Sequence, residues 1–299
     1  MKHLYDFQLI EAVARTGSMR RAAEDLNLTG SALNRRIRRF EADFGFDIFE
    51  RLPGGVRLNP AGELLLQHYR GTRSDLARVR SQVADLSGER RGHVSIACSQ
   101  ALTPYFLPEQ IARYRAQHPG VTFAVKVGDR DQAEEQLATF ASDLALVFEP
   151  VYLVDFKVIQ CIPQRIHAIL AADDPLAAKP ELRLRDVLAR PYVLPSARYG
   201  VRHLLELAAR KRQWNLTPVV ESDSFDLIRH YALHERAIGF QIPIGLRPSE
   251  DNRLVFRPLA ESDVPAGDLF LGQKQGRTLP VASARFSMQI AGAIAEISG

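Results

Sequence analysis

Cysteine is scarce in this chain of 299 residues, which holds only Cys98 and Cys161, with one tryptophan and three methionines. Both cysteines sit in strand-like apolar runs without metal-ligand spacing, so buried, reduced thiols are expected, with neither a disulfide nor a metal. No unbroken apolar run reaches the roughly 18–20 residues that a membrane helix needs. The opening Met1-Lys2-His3-Leu4-Tyr5-Asp6 lacks the apolar core of a secretory signal, and a cytoplasmic protein without membrane contact is expected. Catalytic signatures are missing too. No Gly-x-Ser-x-Gly elbow, phosphate-binding glycine loop or dinucleotide fingerprint stands where a strand would lead into a helix. His230 and His234 lie one helical turn apart, a spacing zinc could use, but no glutamate follows His230 directly and no third ligand stands nearby. The expectation is an ordinary surface pair, no cofactor and no enzyme.

What remains is an ordinary globular composition, 46% hydrophobic and 25% charged, which excludes a disordered or collagenous chain. The length exceeds one typical domain and suits two or three. Net charge is only +4, yet residues 1–92 hold 16 Lys and Arg against 12 Asp and Glu, while the rest holds 23 of each. The whole excess lies in the first third, as expected where one module meets phosphate and the remainder has another task.

In that third, Leu4, Phe7, Ile10 and Ala14 recur at helical spacing until Thr16-Gly17 ends the run. Ser18 can cap a second helix with Met19, Ala22, Ala23 and Leu26 on its apolar side; a turn at 27–30 follows. A third helix turns Leu33, Ile37 and Phe40 inward. At about 100° per residue, Ser31, Arg35 and Arg38 then lie opposite, with Asn34 and Arg39 on the flanks. A short helix, a tight turn and a second helix bearing donors near its N-terminus form the unit that enters a DNA major groove. Arg can bond guanine bidentately, Asn can bond adenine, and other arginines hold phosphate. On charge alone, Arg35, Arg36, Arg38 and Arg39 equally describe a solvated helix face, the commoner meaning of a charge run.

Four segments resolve that ambiguity: FQLIEAVARTGSMRRAAEDL at 7–26, LTGSALNRRIRRFE at 28–41, FGFDIFER at 44–51 and LNPAG at 58–62. Spaced this way, they resemble the DNA-binding region of the LysR-type bacterial transcription regulators. The resemblance implies a winged helix-turn-helix over 1–60 that binds double-stranded DNA through Ser31, Asn34, Arg35, Arg36, Arg38 and Arg39, with Arg51 in the wing. The chain departs from the family where Ser31 replaces a usual Pro, Asn34 a usual Ser and Asn59 a usual Thr. Asn59 before Pro60 remains a good cap for the following helix. Ser31 and Asn34 put the operator sequence in question, not the binding.

From 61 to 87 the chain reads as one linker helix, with Leu65, Tyr69, Thr72, Leu76, Val79, Val83 and Leu86 at alternating steps of four and three. Such a seam suits a partner helix, though a helix packed on its own domain would show it too. The family's corresponding helix dimerises. A homodimer or homotetramer on an interrupted inverted repeat is therefore expected, with RNA polymerase as a further candidate partner. A polar, Gly-bounded hinge is placed at 88–92.

Beyond it, strands at 93–99, 122–128 and 144–148 alternate with helices at 104–118 and 131–140, the pattern of a parallel α/β sheet. A second set follows, with strands at 166–171, 192–194, 219–221 and 238–242 and helices at 200–211 and 225–235. Late strands at 254–256 and 269–272 precede a last helix at 280–297. With LP at 107–108, HPGV at 118–121, DLAL at 143–146 and AIGFQIP at 237–243, this resembles the family's effector-binding domain, which has the two lobes of a periplasmic binding protein. The fold class is thus α+β multidomain. The sensing domain spans 93–299, lobe one being 93–161 with 268–299 and lobe two 162–267. Ligands of open α/β sheets bind beyond strand carboxyl ends, where helix N-termini offer N–H groups. That rule selects Ser99, Gln100, Leu102, Thr103, Gly128 and Asp129 in lobe one. In lobe two it selects Ser196, Arg198, Tyr199, Ser222 and Gln241, although Ser196 and Ser222 could simply cap helices and Arg198 lie on the surface. The converging hydroxyls and Arg198 favour a small polar, anionic effector. A binding protein without DNA function and an α/β enzyme with an accessory helical domain are the alternative readings.

Overall fold

The computed structural model describes residues 3–86, 91–247 and 253–297. The chain divides into two compact units, Met1–Ala77 and Arg78–Gly299. The expected hinge at 88–92 falls mostly outside the described residues.

In the first unit, α1 (Leu4–Thr16) ends at Gly17, whose φ of 64° is the left-handed conformation that glycine adopts without a Cβ penalty. Ser18 accepts a bond from the Arg21 amide and starts α2 (Met19–Asp25); Thr29 does the same with the Ala32 amide for α3 (Gly30–Phe44). The wing is an antiparallel hairpin of β1 (Phe49–Leu52) and β2 (Gly55–Leu58), in register Phe49 with Leu58 and Leu52 with Gly55. Asn59 then caps α4 (Pro60–Leu86): its Oδ1 accepts from the Gly62 amide at 2.8 Å while its Nδ2 holds the Asp47 carbonyl at 2.8 Å. Gly62 permits the close approach of α4, since a Cβ there would lie 2.3 Å from the Ile48 carbonyl oxygen. Leu33, Ile37 and Phe40 of α3 are almost wholly buried, each contributing roughly 1.5–3 kcal/mol by burial.

The first turns of α4 correct one expectation. Tyr69 is 2% exposed and stacks on Phe7 at 4.8 Å, and Leu65 packs beside Ile10, Phe40 and Ile48. These two seam positions are spent on the chain's own core, because the four-three spacing serves packing within a unit as well as packing between chains. Leu76, Val79 and Val83 are exposed.

The second unit opens with β3 (Gly92–Cys98), α5 (Phe106–Gln117), β4 (Val121–Val127), α6 (Arg130–Ala138) and β5 (Leu144–Phe148). The chain then runs through β6 (Phe156–Gln164) into β7 (His167–Ala171), α7 (Leu184–Leu188), β8 (Val193–Pro195), α8 (Gly200–Arg210), β9 (Val220–Ser222), α9 (Phe225–His234), β10 (Gly239–Gln241) and β11 (Leu254–Pro258). It returns to lobe one with β12 (Gly267–Lys274) and α10 (Val281–Ile297). The lobe-one sheet has the order β4-β3-β5-β12-β6. Only β4, β3 and β5 are parallel; β12 runs antiparallel to both β5 and β6. The sheet is therefore mixed, not purely parallel, because the segments crossing between lobes supply its last two strands. Lobe two has the antiparallel sheet β10-β7-β11 and the parallel pair β8-β9, joined to it by a bridge between Tyr192 and Ile238.

The two thiols have different environments. Cys98 is buried in the lobe-one core, and burial pushes its thiol up to about 12. Cys161 is exposed on the edge strand β6, contrary to the expectation of two buried thiols, because its alternate side chains leave the sheet on the open side. Among the described residues, no helix is long and apolar enough to cross a membrane, and no three His, Cys, Asp or Glu side chains gather to hold a metal ion.

Candidate functional site

Two surfaces hold the sequence-selected residues. On α3, Ser31, Arg35, Arg36, Arg38 and Arg39 are exposed and Asn34 is half-buried, as the inward turn of Leu33, Ile37 and Phe40 requires. Asn34, Arg38 and the wing residue Arg51 line one open hollow of about 800 Å3 between α3 and the hairpin. Arg35, Arg36 and Arg39 line a second, of about 460 Å3, toward Tyr5 and Asp6.

These cations are not equivalent. Arg36 Nε donates to Asp6 at 2.6 Å, and its guanidinium lies 4.4 Å from the Tyr5 ring centroid, so α1 holds this side chain. The Ser31 hydroxyl lies 3.2 Å from that of Thr29, the cap of the same helix. Among the described residues, no carboxylate of the chain pairs with Arg35, Arg38, Arg39 or Arg51. Four uncompensated guanidiniums on α3 and the wing make a surface able to take up phosphate and reach base edges.

In the second unit, the strand ends of the two lobes face each other around a cavity of only about 10 Å3. Ser99, Asp129, Tyr199 and Gln241 line it, with Phe148 and Phe225 among the apolar neighbours. A space of that size holds about one water, against the roughly 300–1,000 Å3 of ordinary ligand pockets.

The other selected residues mostly serve the chain itself. Leu102 is fully buried in the main core, a correction to its place in the cleft: an apolar side chain in a 3-10 turn at a strand end points inward. Thr103 donates its hydroxyl to the Gln100 carbonyl at 2.8 Å. Gly128 makes room for Gln132, whose Oε1 would lie 2.7 Å from a Cβ there. Asp129 is buried, forms a capping box with Gln132, and pairs across the lobes with Arg198 at 3.5 Å. Arg198 is therefore not an unclaimed counter-charge, since Asp129 already pairs with it. Ser222 accepts from the Ser224 amide at 3.1 Å, and Gln241 accepts from the Ile242 amide at 2.9 Å.

Gln100 spans the lobes by accepting at its Oε1 from the Phe225 amide at 3.3 Å. Tyr199 meets Phe225 edge-on at 5.3 Å, and burial, with Asp223 and Asp129 nearby, raises its hydroxyl above the usual tyrosine range. Among the described residues, the buried Ser196 hydroxyl has no hydrogen-bond partner. Sequence reasoning missed Phe225, although it follows a strand end and a Ser224 cap, the same signal that selected Ser99.

Comparison with known proteins agrees with this division. Residues 4–63 match the family model described as a bacterial regulatory helix-turn-helix protein of the lysR family, and residues 87–293 match the LysR substrate binding domain. A transcriptional activator named CmpR from Synechocystis is 25% identical over 226 residues, covering 76% of this chain and 74% of its own. Among solved structures, a full-length OxyR variant from Pseudomonas aeruginosa superposes with a TM-score of 0.68 at 18% identity, covering 97% of this chain and 94% of its own. Full-length CbnR, solved in complex with its target DNA, gives 0.63 at 16% identity, covering 97% and 99%.

Proposed function

Because the chain belongs to the LysR-type transcription regulators, which bind DNA and carry a small-molecule sensing domain, we propose which of its residues perform each task. The winged domain at 1–60 reads its operator through Asn34, Arg35 and Arg38, while Arg39 and Arg51 hold phosphate. Arg36 and Ser31 act on the recognition helix itself, one bracing it on α1 and the other completing its cap. The carrying observation is the set of exposed guanidiniums on α3 and the wing that no carboxylate among the described residues neutralises, beside a fifth that one does.

A mobility-shift titration at several salt concentrations tests this. Arg35→Ala is expected to weaken operator binding by about 1–3 kcal/mol and relax the preference at one base pair. Arg39→Ala weakens specific and random DNA alike and lowers the salt slope by about one. An equal loss for Arg35→Ala on both DNAs would move that residue to the phosphate class.

The effector is a small polar, anionic molecule that enters between the lobes at 93–161 with 268–299 and at 162–267. It meets Ser99, Gln100, Asp129, Ser196, Arg198, Tyr199 and Gln241, and competes with Asp129 for Arg198. Arg198→Ala is expected to weaken binding of the metabolite recovered by mass spectrometry from the natively purified protein, without weakening effector-free operator binding. Calorimetry and a mobility shift read the two effects; unchanged metabolite affinity would remove Arg198 from the site. The active form is at least a dimer, joined through the exposed stripe of α4.

A further inference from the structure

Where the lobes meet, one aromatic side chain of lobe one is gripped by two arginines of lobe two. Tyr105 directly precedes α5, and its hydroxyl is the hydrogen-bond partner of Arg229 on α9. The Arg229 guanidinium lies 5.7 Å from the Tyr105 ring centroid and that of Arg247 lies 5.4 Å from it. Arg247 also pairs with Glu109, one helical turn along α5, and its carbonyl accepts from Arg229 at 3.5 Å. Cation–π contacts and exposed ion pairs are individually weak, but these share partners, and separating the lobes breaks every contact that crosses between them.

The space behind them decides what such a clasp does. A cavity of about 10 Å3 admits no metabolite, so a ligand-bound state of this cleft must differ from the closed one. Taking the cleft as the effector site, on which this step rests, binding requires lobe separation, and whatever favours closure lowers the apparent affinity by the fraction of molecules that are open.

We infer that Tyr105 and Glu109 of lobe one, held by Arg229 and Arg247 of lobe two, form a latch that keeps the ligand-free sensing domain closed. The latch is released when the lobes part to admit the effector. It sets the closed-to-open equilibrium from outside the cavity, so it tunes sensitivity without touching the ligand.

Hydrogen exchange of the full-length protein, with no ligand present, tests the latch. The reporter is the Phe225 amide, which donates to Gln100 of the opposite lobe. Tyr105→Leu and, separately, Glu109→Arg alter only lobe one, and each is expected to speed exchange at Phe225 about tenfold. The reciprocal pair Glu109→Arg with Arg247→Glu should restore much of the protection, as coupled residues do in a double-mutant cycle. Protection along β5 serves as the folding control and should not change. Wild-type exchange at Phe225 in both single variants, with β5 equally protected, overturns the latch. Faster exchange in Glu109→Arg that the reciprocal pair leaves unrestored also overturns it, by assigning the effect to local damage in α5. Because no ligand enters the experiment, its failure would leave the cleft as the effector site untouched. Failure of the Arg198→Ala calorimetry would likewise leave the latch standing.

Discussion

Replacing Leu76 and Val79 of α4 with Asp is expected to give monomers that keep a folded sensing domain and lose about two to four orders of magnitude in affinity for a two-half-site operator. Leu76 is 37% exposed and Val79 45%, with Val83 continuing the same stripe. Steps of three and four residues keep these side chains on one side of the helix, the geometry of a knobs-into-holes seam. Carboxylates at two successive seam positions would be desolvated on association and would repel their symmetry mates, which is why the double change should act on assembly and not on the fold. The affinity loss follows from geometry: one winged domain reaches one half-site, and without the partner the second binding event is no longer intramolecular. Sedimentation at several protein concentrations, beside a mobility shift on operators with one and two half-sites, reads both effects. A dimer that survives the double change would place the main interface elsewhere.

The same helix shows where sequence reasoning stops. Local signals were legible: Ser18 and Gly17, Asn59 and Pro60 each fix a helix end through their own chemistry. Leu65 and Tyr69 were not, since spacing reports that a residue faces something apolar without saying whose. Arg36 looked equal to its neighbours because its partner Asp6 lies thirty positions away. Strand β6 was legible only as the strand-like run around Cys161, without bounds or a place in a sheet: Lys157, Gln160 and Pro163 interrupt its apolar pattern, and it forms an edge held by β12 from far down the chain. The strand-end rule located the cleft but not its contents. It selected Leu102, whose side chain the turn directs inward, and it overlooked Tyr105, Arg229 and Arg247, which lie outside the strand ends it examines. Pairings between distant segments carry no signature in a single sequence.

One such pairing carries the largest stability effect expected in the sensing unit. Asp143→Ala should destabilise it by about 3–5 kcal/mol, the range for breaking a buried ion pair from one side. The Asp143 and Arg277 side chains are 8% and 5% exposed and lie 2.5 Å apart. Asp143 also accepts from the Ser95 amide at 3.1 Å and the Ser283 hydroxyl at 2.9 Å, while Arg277 donates to the Ser142 carbonyl at 2.9 Å. This single carboxylate therefore ties the start of β5 to β3, to the segment after β12 and to α10, the pieces that the chain must bring back from lobe two to complete lobe one. Removing it leaves a guanidinium that cannot shed its proton buried without a counter-charge, and strips a buried amide and a hydroxyl of their acceptor. Asp143→Asn keeps the shape and some hydrogen bonding but not the charge, and should fall between wild type and Ala. Arg277→Met removes the cation but fills much of its volume; it leaves the carboxylate two donors, so it should cost less than Asp143→Ala. Urea unfolding of the full-length protein, followed by a probe confined to the sensing unit such as Trp214 fluorescence, measures the series. A loss below about 1 kcal/mol for Asp143→Ala, the value of an exposed pair, would mean that water reaches this site and that the return of the chain into lobe one is held by apolar packing of Phe286, Ile290 and Ile294 alone.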